Sequence, residues 1–232
     1  MRRFLSNSLP SVSNVVYLDA PQSHHMLRVV GIAVGEQIEL VDGKGKACLA
    51  ILQAVENSLA CVAWVAEITV TSTTSKLSLA LSLTKGDAFS LALRMATELG
   101  VHAIFPMITE RSIAKGDKPE RWQKIVESAC LQSKRADIPV VHELHKFTQL
   151  FPYVQSLQNA PTQYCILHTA THQSLQAIQQ DTLLCIGPEG GFSPKEVEFA
   201  LQQGCVPMSL GGTILRADTA VVAATALALQ AP

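Results

Sequence analysis

Leu183-Leu184-Cys185-Ile186-Gly187-Pro188-Glu189-Gly190-Gly191-Phe192-Ser193-Pro194-Lys195-Glu196 is the stretch from which the fold of this chain is read. Four apolar residues make a short buried strand that runs into a glycine-rich turn. A helix then starts with Ser193 as N-cap, Pro194 in the first position and Glu196 three residues on, a capping box with proline in its favoured place. Gly204 ends that helix. Gly187, Gly190 and Gly191 permit unusual backbone angles and let a ligand approach the main chain. Open α/β sheets bind ligands at such carboxyl ends of strands. The loop is neither G-x-G-x-x-G nor a phosphate-binding P-loop, since the Lys-Ser/Thr pair is missing. Glycine-rich turns also occur without ligands, so the loop alone points only to a nucleotide-like molecule.

The pattern repeats downstream. Ser209-Leu210-Gly211-Gly212-Thr213-Ile214-Leu215-Arg216-Ala217-Asp218-Thr219-Ala220 again takes a short strand through glycines into an apolar helix. Arg216 is the only arginine after Arg135, and in so uncharged a region it needs a partner. Glu189 or Asp218 would make it a structural ion pair; an anionic or carbonyl-rich substrate would make it functional, the reading favoured here. Upstream, strands over 77–83, 103–107, 140–144, 164–168 and 182–186 alternate with helices over 87–99, stopped by Gly100, and 119–133. Such alternation predicts a mostly parallel sheet covered by helices. The polar stretch 69–75 reads as a linker. Before it the chain is β-rich: extended runs at 15–18, 36–41, 46–55 and 59–68, a turn at Asp42-Gly43-Lys44-Gly45, and one or two helical turns over 23–30. Several short strands in so few residues predict a small barrel.

The bulk numbers agree with a cored protein. Of 232 residues 48% are hydrophobic and only 16% charged, below the usual quarter, which points to apolar surface hidden in an oligomer. No targeting segment or membrane-length apolar run is predicted. Six cysteines without a C-x-x-C pair predict a reducing cytoplasm, no disulfide and no metal site. Net charge is −1, yet seven basic residues fall between Arg111 and Arg135 against three acids, and only Lys195 and Arg216 follow residue 147. Arg111, Arg121, Lys124, Lys134 and Arg135, joined by Arg2, Arg3 and Arg28, are the candidate phosphate-binding face.

Together these motifs resemble one family. The runs I-G-P-E-G-G-F at 186–192 and L-G-G-T-I-L-R-A-D-T-A at 210–220, with Thr97-Glu98-Leu99-Gly100-Val101, are similar to those of the RsmE family, which methylates N3 of a uridine in small-subunit (16S) ribosomal RNA. Thr109-Glu110-Arg111-Ser112, the segment from Arg121-Trp122-Gln123-Lys124-Ile125 to Gln132-Ser133-Lys134-Arg135, and His24-His25-Met26-Leu27-Arg28-Val29 extend the similarity over nearly the whole chain. The family commonly has Thr-Glu where this chain has Ala217-Asp218, and the segment between Arg111 and Arg121 is brief.

The resemblance implies an N-terminal PUA-like β-barrel over 1–70 that binds RNA and a C-terminal SPOUT α/β domain over 76–232 with a trefoil knot. It implies a homodimer and S-adenosylmethionine held by three loops: Leu167, His168 and Thr169; Gly187, Pro188, Glu189, Gly190 and Gly191; and Leu210, Gly211, Ile214 and Leu215. A uracil N3–H is a weak acid, so the site must remove its proton or stabilise its anion. Arg216 is the expected catalytic donor to a uracil carbonyl; Glu98 and Asp218 are the expected bases or orienting groups. The alternatives are a ribose 2′-O methyltransferase of the same fold and a non-catalytic RNA-binding protein.

Overall fold

The computed structural model describes residues 1–70, 76–113, 116 and 118–230. Most of the expected linker, residues 71–75, lies outside these, as do Lys115 and Asp117 of the basic segment. The chain divides into two compact units, Met1–Thr73 with Glu127–Ile138, and Thr74–Val126 with Pro139–Pro232. The N-terminal unit is thus discontinuous in sequence, which a single cut over the linker leaves out.

The first unit holds a sheet of five strands in the order β1(Arg3–Leu5), β3(Gln37–Val41), β4(Ala47–Glu56), β5(Leu59–Ile68), β2(Val15–Tyr17). β1 pairs parallel to β3 and the other ladders are antiparallel. The expected barrel is therefore open, with β1 and β2 as edges. Register shifts at Leu49/Ala50 and Leu52/Ala54 interrupt the long β4–β5 ladder, and such bulges increase local twist. Phe4, Leu18, Met26, Ile38, Leu40, Leu52 and Val62 form the core. Met26 comes from a π-helical turn, His25–Val30, that continues α1(Ala20–His24) and ends at Gly31 with φ 75°.

Glu127–Ile138 is tied to this sheet by hydrogen bonds from Gly45 N to Ala136 O and from Ile138 N to Gly43 O. Here the sequence reading needs correction. Arg3 is buried against Glu39 (2.8 Å) and also donates to Arg135 O; Arg135 is itself buried and meets Asp137 at 2.6 Å. Two residues expected on the phosphate-binding face are fold-internal cations, whose charge is already matched by carboxylates.

The second unit contains β6(Leu77–Ser82), α2(Ala88–Leu99), β7(Ala103–Ile108), the start of α3(Pro119–Gln132), β8(Val140–Val141), β9(His145–Lys146), α4(Phe147–Gln155), β10(Gln163–Leu167), β11(Thr182–Ile186), α5(Pro194–Gln202), β12(Val206–Met208) and α6(Ala217–Ala228). All pairings are parallel, in the order β12-β10-β11-β6-β7-β8 with β9 also on β7. β6 and β11 are buried at every residue, as a parallel sheet covered on both faces requires. Ala80, Phe105, Met107, Ile166, Leu183 and Cys185 pack with Phe147, Leu150 and Phe151 of α4 and with Ala200 of α5. The intervening strand residues point the other way, and α6 packs on β11 and along α2.

All six cysteines are free and buried. Burial pushes the Cys130 thiol up to about 12 and the Cys165 thiol up to about 11, so both act as small apolar groups. Among the described residues no helix is long and apolar enough to cross a membrane, and no group of His, Cys, Asp and Glu is placed to hold a metal ion.

His142 lies flat on Phe105, with ring centroids 4.0 Å apart, and shares a 3.0 Å hydrogen bond with Tyr153 Oη. Burial, and then the neighbouring His145, lower its pKa from the ordinary 6.5. Between the two values the unfolded chain binds more protons than the folded one, so stability falls as pH drops below about 6.5. Urea midpoints at pH 7.5 and 5.5 are expected to fall more for the wild type than for His142→Phe; equal losses would remove His142 as the cause.

Candidate active site

β12, β10 and β11 are neighbours, and because they are parallel their carboxyl ends, at Met208, Leu167 and Ile186, lie at one edge of the sheet. The three loops that leave these ends enclose a cleft of about 230 Å³. Leu167, His168 and Thr169 line it from the first loop, Gly187, Pro188, Glu189, Gly190 and Gly191 from the second, and Leu210, Gly211, Ile214 and Leu215 from the third. The structure brings together every residue expected to hold the cofactor. It adds Ile186, Phe192, Met208, Ser209, Thr213, Ala217 and Ala220. Ile186 and Met208 are strand ends, Phe192, Ser209 and Thr213 lie in the loops, and Ala217 and Ala220 begin α6; only their adjacency to the glycine runs marks them.

Hydrogen bonds fix each loop. His168 N donates to Met208 O, Ser209 N to Gln173 O and Leu175 N to Ser209 O, which stitches the first and third loops together. His168 Nδ1 accepts the Ala170 N–H (3.0 Å), so a neutral imidazole carries its proton on Nε2. In the second loop Gly191, at φ 66°, closes a turn with its N–H on Pro188 O. The capping box forms as expected: Ser193 Oγ accepts Glu196 N, and the Glu196 carboxylate accepts Ser193 N.

A contact absent from the sequence reading braces this loop from behind. Arg111, expected on RNA, donates to Gly190 O at 2.7 Å, and Glu110 N donates to Glu196 Oε1 at 2.7 Å. The turn that carries both is held by a hydroxyl cluster of Ser82, Thr109 and Ser112. At Gly187 a Cβ would lie 3.2 Å from the Phe192 ring, which would have to shift, while Gly191 is held at a φ of 66°, where a side chain is strained. At Gly190 a Cβ would make only ordinary 3.4 Å contact with the Arg111 side chain.

The three expected catalytic groups are not assembled. Arg216 is the N-cap residue of α6, with its side chain 80% exposed and Nε 3.6 Å from Asp218 Oδ1. Its neighbours Leu215 and Ala217 line the cleft, but Arg216, Asp218 and Glu98 do not. Glu98 is exposed on α2, with Arg94 at 4.0 Å. Of the other expected phosphate ligands, Arg2 donates to Val30 O, Arg121 pairs with Asp87, and Arg28, Lys124 and Lys134 are exposed.

The cleft suits a nucleoside: glycine backbone on one side, and Leu167, Phe192, Leu210, Ile214 and Leu215 as apolar walls. Residues 71–229 match the model of an RNA methyltransferase domain, and residues 18–63 that of an RNA methyltransferase PUA domain. The ribosomal RNA small subunit methyltransferase E of Synechocystis sp. is 32% identical over 93% of this chain and 73% of its own length. The chain belongs to the ribosomal RNA small subunit methyltransferase E family. The Bacillus subtilis member is 31% identical over 85% of this chain and 82% of its own. The crystal structure of the Neisseria gonorrhoeae member, bound to S-adenosylmethionine, is 33% identical and superposes with a TM-score of 0.86 over 97% of this chain and 95% of that one.

The geometry separates the glycines of the family loop. Gly187→Val is expected to weaken S-adenosylmethionine binding about tenfold or more, because the Phe192 ring must move, whereas Gly190→Ala should stay within about twofold. Calorimetry on folded variants checks this; equal affinities would sink the distinction.

Proposed function

We propose that this protein transfers the methyl group of S-adenosylmethionine to N3 of a uridine in small-subunit ribosomal RNA, in the cytoplasm, as a homodimer. The observation that carries the reading is the convergence of three loops, two of them glycine-rich, from adjacent parallel strands on one apolar cleft. When bound there, S-adenosylmethionine supplies an electrophilic methyl group on a sulfonium leaving group.

The protein must then present N3 with its electron pair free. Arg216 suits that task. It is anchored at the start of α6 between two cleft residues, and among the described residues its guanidinium has a loose contact to Asp218. A uracil carbonyl oxygen that gains negative charge as N3 loses its proton is a matching acceptor. Asp218 also accepts Thr219 N at 2.8 Å, which fixes its carboxylate as an orienting group for Arg216. Neither carboxylate is assigned the proton transfer. Arg2, Arg28, Lys124 and Lys134, with exposed side chains, are the proposed phosphate contacts, and the PUA unit is proposed to help hold the RNA.

We infer a trefoil knot near the C-terminus. Its support is that Ser209 pairs with Gln173 and Leu175, while Ile178 N donates to Ala228 O at the end of α6. The dimer is supported by the paired helices α2 and α6, which leave Leu99 and Leu227 exposed at 38% and 39%. Light scattering is expected to give twice the chain mass, and Leu227→Asp to shift it toward one chain; a wild-type monomer at micromolar concentration would overturn this.

For the reaction, mass spectrometry of digested product RNA should place the methyl group on uracil. A methylated ribose would overturn the base assignment. Arg216→Ala is expected to bind S-adenosylmethionine nearly normally and to methylate about a hundredfold more slowly or worse in single turnover. Arg216→Lys should recover little, because a point charge lacks the planar fork. A wild-type rate for Arg216→Ala would remove it from the mechanism.

A further inference from the structure

The turn between β6 and α2 carries a second, smaller cavity that shares no lining residue with the methyl-transfer cleft. Its volume is about 80 Å³. That space has room for one tetrahedral oxyanion. Thr84, Gly86, Ser90, Lys118, Arg121 and Trp122 are in its wall.

Three features converge there. Thr84 is 6% exposed, and its Oγ1 has no hydrogen-bond partner among the described residues. A buried hydroxyl in that state calls for a ligand atom, because leaving it unsatisfied is costly. α2 starts at the same place, and its N-cap residue Asp87 makes no side-chain cap. The positive end of a twelve-residue helix therefore opens here without a capping oxygen. Lys118 adds a positive charge, and Arg121 adds a second that the Asp87 carboxylate, 3.2 Å away, partly offsets. Gly86, at φ 66°, leaves open space where a side chain would stand. A hydroxyl donor, a helix N-terminus and two cations around a phosphate-sized space make an oxyanion site.

We propose that this cavity holds one backbone phosphate of the RNA substrate. The assignment to RNA rests on the methyltransferase reading above; the assignment to an oxyanion does not. The site would position the strand and carry no base specificity, since phosphate contacts set register and orientation.

The test uses the intact protein and two probes. Inorganic phosphate is expected to shift the backbone amide resonances of residues 86–90 saturably in the wild type and not in Lys118→Gln. With a small-subunit RNA fragment followed by fluorescence anisotropy, Thr84→Val should bind about tenfold more weakly at every salt concentration. Its log–log salt slope should be unchanged, because no charge is lost. Lys118→Gln should lower that slope by about 0.7. Both variants should keep their S-adenosylmethionine affinity. Thr84→Val should also unfold at no lower a temperature, since it removes an unsatisfied hydroxyl; a purely structural threonine would leave RNA affinity untouched. Wild-type RNA affinity and slope in both variants would overturn the proposal. With saturable phosphate shifts, that result would leave a site for free anions; without them, a water-filled dent. If the wild type neither binds nor methylates the RNA, the methyltransferase reading has failed, the RNA assignment falls with it, and the phosphate titration alone decides whether the oxyanion site stands.

Discussion

The parallel pairing of β10 between β11 and β12 is the constraint on which the site depends. Parallel register sets Leu167 beside Met208 and Ile166 beside Cys185, so the loops that follow leave the sheet on the same edge. An antiparallel β12 would carry its glycine loop to the opposite edge and leave two loops with no third wall. Parallel strands also cannot be joined by tight turns. The chain must make long excursions between them, over 168–181 and 187–205, and the first residues of these excursions, with the loop after β12, supply the cleft lining. Fold and binding surface have one cause here.

The glycine loop gains backbone freedom from its composition, and freedom alone would not hold a ligand. Gly191 accepts a positive φ and Gly187 admits the Phe192 ring, but rigidity comes from outside the loop. Arg111 grips the Gly190 carbonyl, and Glu196 ties the capping box of α5 to the Glu110 amide. Glu196 thereby accepts from two separate main-chain segments, at Glu110 and at Ser193. A carboxylate at the N-terminus of a helix is also favoured by the helix dipole. The capping box legible in the sequence thus has a second use that is invisible there, because Glu110 is 86 residues away.

That difference describes what the sequence could and could not reveal. Local signals were readable: the Ser193–Glu196 box, the Gly100 stop after α2, the turn at Asp42 and the alternation that gave the parallel sheet. The twelve residues expected to hold the cofactor line one cleft; the glycine runs after apolar strands are a local pattern, and the family resemblance implied that all three loops surround the cofactor. Non-local pairings were not readable. Arg3 and Arg135 counted as phosphate ligands because charge along the chain does not show which cations meet Glu39 and Asp137. β1 was missed because three residues pairing parallel to β3 have no periodicity of their own. Grouping of Glu127–Ile138 with the first unit follows from contacts at Gly43 and Gly45, which a linker search cannot see.

The charges left over bear on how an RNA could be held by a chain of net charge −1. Of the basic residues first assigned to RNA, Arg3 and Arg135 neutralise carboxylates within the fold and Arg111 is committed to a loop carbonyl. A cation neutralised by a carboxylate of the fold, as Arg3 and Arg135 are, is lost to counterion release, the term that dominates non-specific affinity. What remains of that set is Arg2, Arg28, Lys124 and Lys134, with Arg121, exposed beside the Asp87 carboxylate. A protein with few phosphate contacts has a shallow salt dependence and little affinity for RNA in general. Selectivity must then come from geometry, with a strand positioned so that one base reaches the cleft where Leu215, Arg216 and Ala217 begin α6. Sparse charge is in this sense compatible with an RNA enzyme: it lowers binding to the wrong RNA more than to an RNA whose shape fits.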